Sequence, residues 1–206
     1  MHIYAFGSIC RGEIDRNSDI DMIALVDSFD DRFDPSTFSI YSYRRMREIW
    51  EAGNPFAWHL ATESRLLFSS DQSDFFSELG DPSKYLNVRR DCEKFAQIFH
   101  DAARAIEAGT DNVVFELSTV FLAIRNFATC LALGTSAQND FSRFSAKRLE
   151  GAPVPISSST FSILEKARLL STRGKGHNLL RSETESVKAE LDSIGRWMSE
   201  LQKEIR

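Results

Sequence analysis

The feature that most constrains this chain lies near its start: Gly7-Ser8, ten intervening residues, then Asp19-Ile20-Asp21. The run before it, His2 to Phe6, is short and apolar-rich and reads as a strand. The run after it, Met22 to Val26, is apolar throughout and reads as a second, buried strand. Gly7 permits a tight turn and a close approach of backbone to ligand. Ser8 and the amides after it are placed to open a short helix whose free N–H groups suit a phosphate. Asp19 and Asp21 are two apart on a strand, so both side chains leave the same face. Paired carboxylates are costly without a cation between them, and hard oxygen ligands suit Mg²⁺. A phosphate cradle facing two acids is the minimum equipment for metal-assisted attack on a nucleotide phosphate. The bland alternative is a hairpin with its aspartates at a solvated strand edge, but Asp-x-Asp running into five apolar residues makes a poor edge.

Gly7-Ser8, Arg11-Gly12-Glu13 and Ser18-Asp19-Ile20-Asp21-Met22 together resemble the signature of the polymerase-β-type nucleotidyltransferase superfamily. The nearest branch is that of the minimal nucleotidyltransferases, relatives of the kanamycin-type enzymes. The resemblance covers residues 3–26 closely and extends to about residue 70. It implies a nucleoside triphosphate substrate, Mg²⁺ as cofactor, and transfer of a nucleotidyl group to an acceptor hydroxyl with release of pyrophosphate. Residue by residue, it makes Asp19 and Asp21 the catalytic metal ligands. It assigns Gly7, Ser8, Arg11 and Ser18 to the nucleotide.

One departure stands out. The superfamily places a third carboxylate on the strand after Asp-x-Asp, and the corresponding strand here, Thr37 to Tyr43, has Ser39 or Tyr41 in that place. The missing acid is left to Glu63, to Glu116, to a second subunit or to none. His59, between Trp58 and Leu60, reads either as a hydrogen-bonded core histidine or as a contact to nucleotide or acceptor, or a base near neutral pH. The missing acid supports an alternative function: a non-catalytic nucleotide-binding or toxin-neutralising module on a degenerate fold.

The remaining pattern gives an α+β organisation. Arg44 to Ala52 reads as a helix, Phe56 to Ala61 as helix or strand, and Ser64 to Phe68 as a strand. Residues 1–80 form the expected nucleotidyltransferase domain, a small mixed sheet with helices on one face. Residues 81–206 read as a helical bundle, with helices over Ser83–Ala108, Val113–Leu133 (closed by Gly134), Asp140–Leu149, Ser157–Leu170 and Thr184–Ile205. This half resembles the bundle of the kanamycin-type enzymes, related to the HEPN family, which implies help in holding an acceptor and a homodimer. HEPN ribonucleases carry Arg, four to six residues, then His. Arg125 here leads to Cys130, so the ribonuclease reading lacks its base. Arg125 itself needs a partner within its apolar helix, either an ion pair with Glu116 or an anionic ligand. Residues 171–178 are the densest basic, glycine-bearing stretch, without P-loop spacing.

Composition removes other classes. The 206 residues carry a net charge of −5, so no global basic field draws the chain to nucleic acid or an anionic membrane. No apolar run approaches the about 18–20 residues of a membrane helix, and no signal pattern opens the chain. Three cysteines without metal-ligand spacing fit a reducing cytoplasm. The acceptor is open between a small molecule, a protein side chain and an RNA end.

Overall fold

The computed structural model describes residues 1–13, 20–28, 30–135 and 139–205, which form two compact units, Met1–Leu86 and Asn87–Arg206. In the first, β1 (His2–Phe6) leads through a 3-10 turn (Gly7–Ile9) towards β2 (Asp21–Val26). Then follow β3 (Phe38–Ser42), α1 (Tyr43–Glu51), α2 (Pro55–Glu63), β4 (Ser64–Ser69) and α3 (Phe75–Leu79). The sheet has the order β3-β2-β1-β4; β2 and β3 are parallel and the other pairs antiparallel. The fold is α+β, with the helices following a small mixed sheet.

Alternation along the strands sorts the two faces. Tyr4, Phe6, Ile23 and Leu25 pack with Met46, Ile49, Trp50, Leu60, Phe75 and Phe76 of α1, α2 and α3. On the opposite face Ala24 and Val26 are covered by Phe33, from the connection between the parallel strands. Local chemistry sets the helix starts. Ser42 Oγ accepts from Arg45 N at 3.1 Å to begin α1. Asn54 Oδ1 accepts from Phe56 N at 2.8 Å, with Pro55 in the first turn, to begin α2. The segment at Phe56–Ala61 is therefore helix. The helix α3 has no counterpart in the sequence reading. Five residues are too few to show a period, and it is held by Asp74 accepting from Ser77 N and by Phe76 stacked on Tyr4 at 4.1 Å and Trp50 at 5.1 Å.

The second unit contains α4 (Val88–Glu107), α5 (Val113–Thr135), α6 (Ser145–Arg148), α7 (Ser158–Arg173) and α8 (Arg181–Glu204). Several boundaries differ from the sequence reading. Helix α4 begins at Val88, not Ser83. Gly134 lies inside α5 rather than closing it, because a Cβ there would sit 2.5 Å from Val88 Cβ of α4. Only four residues of the expected Asp140–Leu149 helix are helical. Before them the backbone is taken by side chains: Asp140 Oδ1 accepts from Ser142 N, and Arg125 donates to the carbonyls of Phe141 (2.7 Å) and Ser142 (3.3 Å). Backbone oxygens are thus among the partners that Arg125 finds. Helix α7 takes in Ser171, Thr172 and Arg173 of the basic stretch and ends at Gly174.

Helix α5 has the length and average hydropathy of a membrane span, contrary to the sequence reading, yet 67% of that stretch is buried inside the protein. It packs against α4, α6, α7 and α8 and serves as the core helix of its unit.

Candidate functional site

Three strands converge on one end of the first unit's sheet. Phe6, the last residue of β1, pairs with Asp21 of β2 on one side and Ser64 of β4 on the other. The residue after Phe6 is Gly7, and the residue before Ser64 is Glu63, the end of α2. One strand end therefore gathers the glycine turn, Asp21 and the last turn of α2.

Gly7 is buried and has φ +77°. A Cβ on it would lie 3.0 Å from Asp21 Oδ2 and 3.9 Å from His59 Nε2. Any other residue would be both strained in this left-handed conformation and driven into the space between the carboxylate and the imidazole. The expected short helix is only a single turn, Gly7–Ile9. The amides after it are spent within the turn: Cys10 N and Arg11 N donate to Gly7 O, and Glu13 N donates to Ser8 O. Ser8 is half-buried at the head of this turn.

Arg11 leaves the turn towards two acids. Its Nε donates to Glu13 Oε2 at 3.0 Å, and its Nη1 pairs with Glu63 Oε2. Glu63 Oε2 also lies 2.9 Å from His59 Nε2, one helical turn earlier on α2. The side chains of Arg11, His59 and Glu63 are 20%, 15% and 11% exposed. Burial works against the guanidinium charge, and Glu13 and Glu63 more than offset it, so Arg11 holds its proton even more firmly than usual. The ring of Phe6 meets His59 edge-on at 5.6 Å and so fixes the imidazole beside the turn. Burial raises the Cys10 thiol, with its Sγ on Ala5 O; this is a packing cysteine rather than a nucleophile.

Of the residues singled out from sequence, Gly7, Ser8, Arg11, Asp21, His59 and Glu63 are brought to this one strand end. Ser18 and Asp19 lie outside the described residues. Strand β3 supplies no acid: Ser39 pairs with Ile23, and Tyr41 packs into the helical face. The acid delivered beside the turn is Glu63, by way of α2. The sequence reading missed the grip of Glu13 on Arg11, although the turning Gly12 between them (φ +74°) is the signal for it. Among the described residues no group of three or more His, Cys, Asp or Glu is arranged to hold a metal ion. The donor chemistry fits a hard cation at Asp21, an exposed carboxylate beside the Gly7 turn.

Residues 2–79, from β1 through α3, match the family model described as a nucleotidyltransferase domain. This segment is a nucleotidyltransferase domain, and a helical region follows it. The search among curated proteins found no match to the chain.

Proposed function

We propose that the first unit binds a nucleoside triphosphate with Mg²⁺ and passes the nucleotidyl group to an acceptor hydroxyl, releasing pyrophosphate. The observation that carries this reading is the turn at Gly7, whose missing side chain lets Asp21 and His59 close in on the backbone there. Asp21, with Asp19 two residues earlier in the sequence, holds the metal, which neutralises phosphate charge when bound. Gly7, Ser8 and Ser18 hold the triphosphate by backbone and hydroxyl donors, and Arg11 binds the phosphates that leave. Transfer of this kind rests on positioning and charge neutralisation, so few groups suffice once the acceptor is well placed. With Asp21 given to the metal and Glu63 paired with Arg11, His59, whose Nε2 borders the same turn, takes the acceptor's proton. The acceptor hydroxyl sits on a small molecule, a protein side chain or an RNA end. The resemblance of the sequence to the kanamycin-type branch supports the same reading.

A second reading, a nucleotide-binding module without turnover, is favoured by the lack of an acid on β3. Thermal unfolding of the full chain with ATP, GTP, CTP and UTP, each with Mg²⁺ and with chelator, tests the first step. A ligand held by the native state at 100 times its Kd adds about 2.7 kcal/mol. The expected result is a metal-dependent rise in midpoint for at least one nucleotide, lost in Asp19→Asn. No rise with any nucleotide sinks both readings; binding without transfer to any acceptor leaves the second.

A further inference from the structure

We propose that Glu63 is a specificity-determining residue of this site. Its carboxylate competes with ligand phosphate for Arg11, so that a polyphosphate captures the guanidinium and a lone phosphate does not. The inference rests on the phosphate reading of the Gly7 turn.

The argument is one of charge and partners. Arg11 already serves two carboxylates, Glu13 and Glu63, while Arg65 of β4 also acts on the turn at Cys10. With Asp21 beside them, the ensemble is net negative before any ligand arrives. All three members of the Arg11–Glu63–His59 chain are largely shielded from solvent, where charge interactions are stronger than at an open surface. A ligand phosphate reaches the guanidinium only by displacing a carboxylate. A lone phosphate brings repulsion with few contacts to offset it. A polyphosphate spreads its oxygens along the turn and gains a charge-assisted guanidinium–phosphate contact at one end. The displaced Glu63 is not abandoned, because its Oε2 already lies 2.9 Å from His59 Nε2. The exchange is therefore open to a ligand that binds at several points and costly to one that binds at one.

The competing explanation is that the Arg11–Glu63 pair only ties the turn to α2. Calorimetric titration of the full chain with tripolyphosphate and with orthophosphate, both with Mg²⁺, separates the two. The wild type is expected to prefer tripolyphosphate strongly. Glu63→Gln removes the competitor and keeps the shape. It is expected to tighten orthophosphate binding about tenfold, which is about 1.4 kcal/mol, and to narrow the preference accordingly. Arg11→Gln is expected to narrow the same preference from the other side, by weakening tripolyphosphate. Should Glu63→Gln fold poorly, Glu63→Asp reads the same effect, with orthophosphate tightened about threefold because the shorter carboxylate grips Arg11 less. Glu63 variants that bind orthophosphate no tighter, or that lose both ligands in parallel, overturn the proposal and leave a structural tie. A wild type that binds neither tripolyphosphate nor any nucleoside triphosphate overturns the nucleotide reading as well.

Discussion

Gly7 concentrates the site's dependence on a single missing side chain. Two costs attach to Gly7→Ala: the left-handed backbone, at about 1–3 kcal/mol, and a methyl group 3.0 Å from Asp21 Oδ2. The second falls on the ligand space itself. The control is Gly109→Ala, which shares a positive φ (+81°) but meets nothing within 4 Å. Both variants are expected to lower the unfolding midpoint. Only Gly7→Ala is expected to abolish the rise given by nucleotide and Mg²⁺, and a retained rise would contradict the cradle. At this scale much of the site was legible. Gly7 and Asp21 sit at strand ends, so their closeness follows from pairing two short runs. His59 and Glu63 were less so. Their place depends on α2 packing under Phe6, a contact across more than fifty residues that no local pattern encodes. The Arg11–Glu63 half of the grip on Arg11 was hidden for the same reason, since an arginine after a phosphate turn reads as available until its partners are seen.

Elements were legible where they were long and periodic. The strands β1 and β2 and the helices α5 and α8 follow from their apolar runs. Failures came where side chains compete for backbone or where an element is too short for a period, as at α6 and α3. Gly134 shows how a punctuation rule can mislead. Glycine near a helix end reads as a stop, but here it is the notch into which Val88 of α4 fits. This inverts the usual sign of a substitution. In a helix Gly→Ala ordinarily gains about 1 kcal/mol. Gly134→Ala would press a methyl against Val88 and is expected to lose about 1–3 kcal/mol, the range for overpacking. Adding Val88→Ala is expected to recover part of that loss. Chemical denaturation of the two single variants and the double variant gives the coupling directly; additive effects would show that the two helices do not interlock there.

For the molecule as a whole, the order of a small sheet followed by helices was legible, but the distribution of charge was masked by the total. The chain is −5 overall. Within Met1–Leu86, eight Lys and Arg face fifteen Asp and Glu, a net charge of −7. A nucleoside triphosphate must therefore approach a unit of its own sign. Steering by the protein field opposes association, and Arg11 is already engaged by two carboxylates. On the proposed function, the metal is then needed for binding as well as for chemistry. Removing it with chelator is expected to weaken triphosphate binding at least about tenfold, roughly 1.4 kcal/mol. The salt dependence should also have an unusual sign. The screening length shortens from about 30 Å at 0.01 M to about 10 Å at 0.1 M ionic strength, so added salt relieves the repulsion between unit and ligand. In chelator, affinity is expected to hold or rise with salt, whereas a basic nucleotide-binding surface would lose affinity steeply. Titrations at the two ionic strengths decide it. A steep fall in chelator would place the triphosphate on cations outside this acidic unit and would remove the Gly7 turn as its seat.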